Sequence, residues 1–167
     1  MSSVIIRALT PSDEPFLWEM LYQAIYVPPG FAPFPREVVE QPEIARYVKG
    51  WGRTGDSGFV AVDALSQQPV GATWIRLFTA VHPGYGYVND ATPELTIALL
   101  PDWRGRGAGS QLMTAMLAAA RHDYAAVSLS VSATNPARRL YERCGFVTEK
   151  IEAQSLTMRC HFHTEEK

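Results

Sequence analysis

The stretch Arg104-Gly105-Arg106-Gly107-Ala108-Gly109 constrains this chain more than any other. A strand-like run, Glu94 to Leu100, leads into it, and a helical run starts at Ser110. Glycine lets the backbone take angles that a Cβ forbids and lets it approach a ligand closely. A helix start just downstream leaves N–H groups without intrahelical acceptors and brings the positive end of the helix dipole to the same place. Strand, glycine loop and helix therefore read as a seat for a phosphate or pyrophosphate. Arg104 and Arg106 add charge at its rim.

The elements around the loop follow from periodicity and punctuation. Val4-Ile5-Ile6 reads as a strand. Thr10 to Glu14 is a helix-start signal, and Phe16, Leu17, Met20, Leu21, Ala24 and Ile25 follow with helical spacing. Pro28-Pro29-Gly30 ends that helix. Glu37 to Trp51 predicts a second helix, interrupted or re-started near Pro42. Phe59 to Val62 and Val70 to Thr79, separated by a Ser66–Pro69 turn, predict an antiparallel hairpin. Glu94 to Leu100 is apolar on both faces, as a central, doubly covered strand requires. Leu112, Met113, Met116, Leu117 and Ala120 form the buried stripe of a helix, and Val127 to Ser132 alternates as a strand. Asn135 as cap, Pro136 at the first turn and Gly145 as stop bracket a last helix. Phe146 to Lys150 and Leu156 to Phe162 close the chain as strands. The expected class is a mixed α/β sheet with helices on both faces, in one domain spanning 1–167.

Composition removes several function classes. A net charge of -2 offers no electrostatic footprint for nucleic acid. No apolar run approaches the roughly 20 residues of a membrane helix. The start, Met1 to Arg7, is too short and polar for a signal peptide. Two cysteines, Cys144 and Cys160, make no disulfide framework, so a reducing cytoplasm is the expected compartment. Cys144 reads as packing. No metal site is expected; His161 and His163 read as alternate strand positions.

The choice of phosphate ligand narrows on the motif. No Gly-Lys-Ser/Thr follows the loop, so it is no Walker A. Gly105-x-Gly107-x-x-Ser110 only partly imitates a dinucleotide fingerprint, and it sits too late in the chain to open a βαβ unit. Pro101 to Gly109 instead resembles the acetyl-CoA signature of the GNAT superfamily of N-acetyltransferases. Arg104, Gly107 and Gly109 fill its Arg-x-x-Gly-x-Gly core. Asn135 to Phe146 resembles that family's second block, with one position fewer between Asn135 and Tyr141 than is common.

The resemblance implies a mostly antiparallel sheet with a splayed central strand. It also implies that the protein uses acetyl-CoA and transfers acetyl directly to the amine of a small molecule or protein, as a possible homodimer. The N–H groups of Arg104, Gly105, Arg106, Gly107, Ala108, Gly109 and Ser110 would cradle the pyrophosphate. The pantetheine arm would pair with Ile97, Ala98 and Leu99 and run towards Asn135, with Arg138 at hand, while a strand N–H such as that of Leu99 polarises the carbonyl.

The same resemblance places a base at Glu94 and an acid at Tyr141. An alkylammonium has a pKa of about 10.4, so a group must take its proton near neutral pH. Each residue keeps a second reading. Glu94 also suits a strand-end carboxylate paired with an arginine such as Arg76, Tyr141 a core tyrosine, Asn135 a plain cap, and Arg138 a solvated helix face. A silent acyl-CoA sensor is the alternative to an enzyme. Tyr22, Tyr26, Phe31, Phe34, Trp51, Trp74, Tyr85 and Tyr87 are the expected acceptor walls, with Asp90 nearby.

Overall fold

The computed structural model describes residues 3–163; residues 1–2 and 164–167, the ends of the expected domain span, lie outside it. The elements are β1 (Val4–Ala8), α1 (Glu14–Ala24), α2 (Pro42–Ala45), β2 (Ser57–Asp63), β3 (Pro69–Arg76), β4 (Glu94–Leu99), α3 (Ala108–Ala120), β5 (Ala126–Ser132), α4 (Arg138–Arg143), β6 (Val147–Glu152) and β7 (Ser155–His161). This is the expected order of strands and helices. The one substantial difference lies at Glu37–Trp51. That segment breaks into a 3-10 turn over Arg36–Glu40, the short α2 and a run of turns. Pro42 is the reason: it has no N–H to continue a helix, and it starts one instead.

Seven strands form one sheet in the order β1-β2-β3-β4-β5-β7-β6. Every neighbouring pair is antiparallel except β4 and β5, which are parallel and meet only at Glu94↔Ser128. Beyond that pair the two strands part, and the sheet has a fork at its centre.

Alternation along β3 and β4 sorts the two layers. Ala72, Trp74 and Ala98 face α1, where Leu17, Met20 and Leu21 meet them. Ile75 and Leu95 face the other way, onto Met113 and Met116 of α3. Each of the buried leucine, isoleucine and methionine side chains among these contributes about 1.5–3 kcal/mol. Tyr141 and Phe146, from α4 and the residues after it, join the α3 side. The helix stops as expected: Gly145 takes φ 99°, and the N–H groups of Gly145 and Phe146 return to the carbonyls of Glu142 and Tyr141. Among the described residues no helix is long and apolar enough to cross a membrane.

Candidate active site

The glycine loop caps α3. Gly107 is the N-cap residue, left-handed at φ 88°, two positions after Gly105 at φ 72°. No atom lies within 4 Å of where a Cβ on either would sit, so the loop faces open space. The first backbone N–H past Arg104 to find a backbone acceptor is that of Gln111, on the Gly107 carbonyl at 3.3 Å. The N–H groups from Gly105 to Ser110 are left for a ligand. Gly105, Gly107, Gly109 and Ser110 line a groove of about 940 Å³, whose wall also includes Tyr22 and Phe34.

The side chains of this stretch divide. Arg104 stands in the groove, its Nη2 3.1 Å from Gln23 Oε1. Arg106 turns away, stacked over Trp103 at 4.3 Å and donating to the Asp102 carbonyl. Ala108 is 1% exposed and its methyl packs inward, so only its N–H can serve. Arg138 lies outside the groove; its Nε is 2.8 Å from Glu142 Oε1, an ion pair without hydrogen-bond alignment. Charge at the rim therefore comes from Arg104 and, unforeseen, from Arg143, which lines the groove.

The groove leads into the fork. Leu100 donates its N–H to the Val70 carbonyl at 2.8 Å, so even-numbered backbone groups of β4 face β3 and odd-numbered ones face the fork. Ile97 and Leu99 thus present unpaired backbone to it, as expected. Ala98 does not: its backbone belongs to the β3 ladder, and only its methyl reaches the groove. Asn135 and Tyr141 line the far side. Asn135 also caps its turn, accepting the Ala137 N–H at 3.0 Å.

A second cavity, of about 640 Å³, opens at the other end of the fork. It shares Ala24, Ile25, Tyr26, Ile97, Asn135 and Tyr141 with the groove and adds Glu94. Glu94 is 3% exposed, on the α1 face. Its Oε1 accepts the Gly86 N–H at 2.9 Å, and its Oε2 accepts the Tyr47 hydroxyl, which itself accepts the Tyr85 N–H at 2.7 Å. Burial pushes the Glu94 carboxyl up to about 7, against the downward pull of Tyr47, the Gly86 N–H and Arg46. Burial likewise raises Tyr141 to about 12, with a smaller contribution from Cys144. The Ser128 hydroxyl, one strand over from Glu94, is fully buried without a hydrogen-bond partner.

Arg76 does not pair with Glu94. Its guanidinium forms a two-point contact with Asp56, at 3.0 and 2.8 Å, and donates to the carbonyls of Arg46 and Lys49. Trp74 Nε1 donates to the Tyr47 carbonyl at 3.0 Å. Together they tie the turns after α2 to β3 and aim Tyr47 at Glu94. Tyr47 and Asp56 escaped the sequence reading because both partners lie far along the chain. Gly86 escaped too. A Cβ there would come within 2.6 Å of the Leu129 carbonyl carbon, so only glycine lets this loop reach Glu94.

The expected aromatic walls are partly wrong. Tyr26 and Tyr85 line the second cavity, and Tyr22 and Phe34 the groove. Trp74 is fully buried, Trp51 packs into the α1 side of the core, and Phe31 is 72% exposed. Tyr87 lines neither space and binds Asp90, which removes Asp90 from the site as well.

The parallel pair splays beside a glycine-capped helix, the arrangement that the resemblance to the GNAT superfamily implied. The chain belongs to the acetyltransferase (GNAT) family, whose model matches residues 18–146. Solved structures share the fold. The Salmonella typhimurium yncA structure, solved with acetyl-CoA, has a TM-score of 0.69 and 15% identity over 99% of this chain and 98% of that one. Ribosomal-protein-alanine N-acetyltransferase from Brucella melitensis has a TM-score of 0.65 and 21% identity over 95% and 99%. A chimera of the spermidine N-acetyltransferase SpeG from Vibrio cholerae and hSSAT has a TM-score of 0.60 and 21% identity over 95% of both chains. Identities this low carry the fold and not the acceptor. No curated protein matches the chain. The family uses acetyl-CoA, and the residues present fit it: unpaired N–H groups and arginines for its phosphates, and an open strand edge for its amide-bearing arm.

Proposed function

We propose that this protein transfers the acetyl group of acetyl-CoA directly to a primary amine, with Glu94 as general base and Tyr141 as general acid. The observation that carries this reading is Glu94 itself. It is a carboxylate buried at the fork with its pKa near 7, in a cavity that shares Tyr141 with the CoA-type groove. A base serves best when its pKa lies near the working pH. Bound acetyl-CoA supplies the activated acyl thioester.

Glu94 takes a proton from the incoming ammonium, which frees the nitrogen lone pair to form the C–N bond. Both Glu94 oxygens already accept one hydrogen bond, and each keeps a further lone pair for that proton. Tyr141 hands its phenolic proton to sulfur as the C–S bond breaks. At about 12 its pKa keeps the proton in place until then. The Leu99 N–H, free on the fork side, is the donor available to the thioester carbonyl.

Isothermal titration and a thiol-release assay test the reading. Acetyl-CoA should bind while ATP and NAD do not, and amines should drive release of free CoA thiol. Binding without turnover across an amine panel would leave a silent acyl-CoA-binding module in place of an enzyme.

A further inference from the structure

The cavity beside Glu94 is chemically one-sided. Its lining includes the buried carboxylate of Glu94, the exposed rim carboxylate of Glu152, which is paired with Lys150 at 2.8 Å, several hydroxyls and an apolar wall; among the described residues no lysine, arginine or histidine lines it. The nearby cations lie outside the lining: Arg76 and Arg159 are held in ion pairs, while Arg46 sits on neutral carbonyls and draws the Glu94 pKa down from behind the wall. Arg46 donates to the carbonyls of Pro42 and Pro83, Arg76 is closed on Asp56, and Arg159 pairs with Glu149. Arg104 and Arg143 line the groove on the other side of the fork.

Shape agrees with charge. Leu21, Ile25 and Ile44 make an apolar wall from α1 and α2, and Tyr26 and Tyr85 add aromatic faces. Across from them Ser130, Ser132 and Thr157 offer neutral hydroxyls. A volume of about 640 Å³ is that of a small-molecule site.

We propose that the acceptor is a small primary amine with an apolar or aromatic body and no anionic group: an alkylamine or arylalkylamine rather than an amino acid. The inference rests on the acetyltransferase reading above. An ammonium entering here meets the Glu94 carboxylate and aromatic faces, both of which favour a cation. A carboxylate on the carbon beside it would be buried next to Glu94 with no counter-ion. Neutral hydroxyls are weaker donors to an anion than charged groups, so they do not replace one.

Matched pairs decide it. The full chain is assayed with acetyl-CoA and with phenethylamine against phenylalanine, tyramine against tyrosine, and isopentylamine against leucine. Phenylalanine amide and a tripeptide complete the panel. Each amine should exceed its amino acid in kcat/KM by about a hundredfold or more, the weight of a buried unpaired charge. The amide should recover most of that loss, which separates charge from size. Ser155→Lys, on the exposed rim of the cavity, should narrow the ratio by supplying the missing cation. Amino acids that match or beat their amines overturn the proposal, as does a tripeptide that beats them all. Acetyl-CoA that binds with no amine in the panel turning over overturns it too. Failure to bind acetyl-CoA is a different result, because it removes the acetyltransferase reading underneath.

Discussion

The two spaces at the fork are opposites built against one wall. The groove is lined by Arg104, Arg143 and the free N–H groups of a helix start, and so attracts anions. The cavity holds the buried Glu94 carboxylate and, among the described residues, no cation in its lining, and so favours a positive charge. Ile97, Asn135 and Tyr141 belong to both. The difference shows what the splayed strands achieve. Glu94 lies on the α1 face of the sheet and Tyr141 packs on the α3 face, and an unbroken ladder would keep them apart. Where β4 and β5 part, both reach one space. Two ionisable groups with well-separated pKa values, Glu94 and Tyr141, then flank the space that joins groove and cavity, as the proposed acid and base.

The sharpest break is on the groove side. Gly107→Val should abolish acetyl-CoA binding by titration, because its side chain would stand in the open space over the loop. The substitution also forces a β-branched residue to φ 88°. It should therefore cost about 1–2 kcal/mol of stability as well, from the left-handed backbone. Thermal unfolding measures that loss.

On the cavity side, Glu94→Gln should lower kcat by about 10²–10⁴-fold at neutral pH while acetyl-CoA affinity stays as it was. The same change has a signature in stability. The folded pKa of Glu94, about 7, lies above its reference of 4.5, so the folded state holds the proton longer. Its contribution is complete below pH 4.5 and is lost as pH rises through 7. The loss is on the order of 3 kcal/mol. Chemical denaturation between pH 5 and 8 should show this decline in the wild type and a flatter profile in Glu94→Gln. Equal slopes would mean that Glu94 titrates as an ordinary carboxylate.

At the shared wall, Tyr141→Phe should reduce kcat by about 10²-fold without moving the affinity for either ligand. The effect is smaller than at Glu94 because a thiol of pKa about 8.5 leaves more readily than an ammonium of pKa about 10.4 gives up its proton. A kcat unchanged across pH would remove Tyr141 from the chemistry. The smallest effect is expected at Ser128, beneath the junction of the strands. Its hydroxyl is buried and unpaired, so Ser128→Ala should shift unfolding stability by no more than about 1 kcal/mol, in the stabilising direction.

Local features were readable in advance. Leu17, Met20 and Leu21 face the core at the expected helical spacing, Gly107 and Gly145 take the left-handed turns assigned to them, and Asn135 caps its turn. Each depends on residues within a turn or two of one another. Between Glu37 and Trp51 the restart at Pro42 was readable, but the helix it begins is only four residues long and the rest of the stretch is a 3-10 segment and turns. The aromatic residues were misplaced. Trp74 and Tyr87 differ from Tyr26 and Tyr85 in which face of a strand or loop they occupy, and composition does not record that.

By itself, then, the sequence determined the strand, the glycine loop and the helix start that make an anion seat, together with the order of elements around it. These are consecutive residues whose backbone preferences act locally. Tertiary structure alone decided the other half of the site. It brought Tyr47 to Glu94 across 47 positions, placed Arg76 against Asp56 instead of Glu94, and turned Arg106 and Arg138 away from the groove. It also left the lining of the Glu94 cavity without a cation among the described residues. Burial is what separates the two. A carboxylate has a pKa near 7 only where the rest of the fold has removed its water, and no stretch of neighbouring residues can do that for itself.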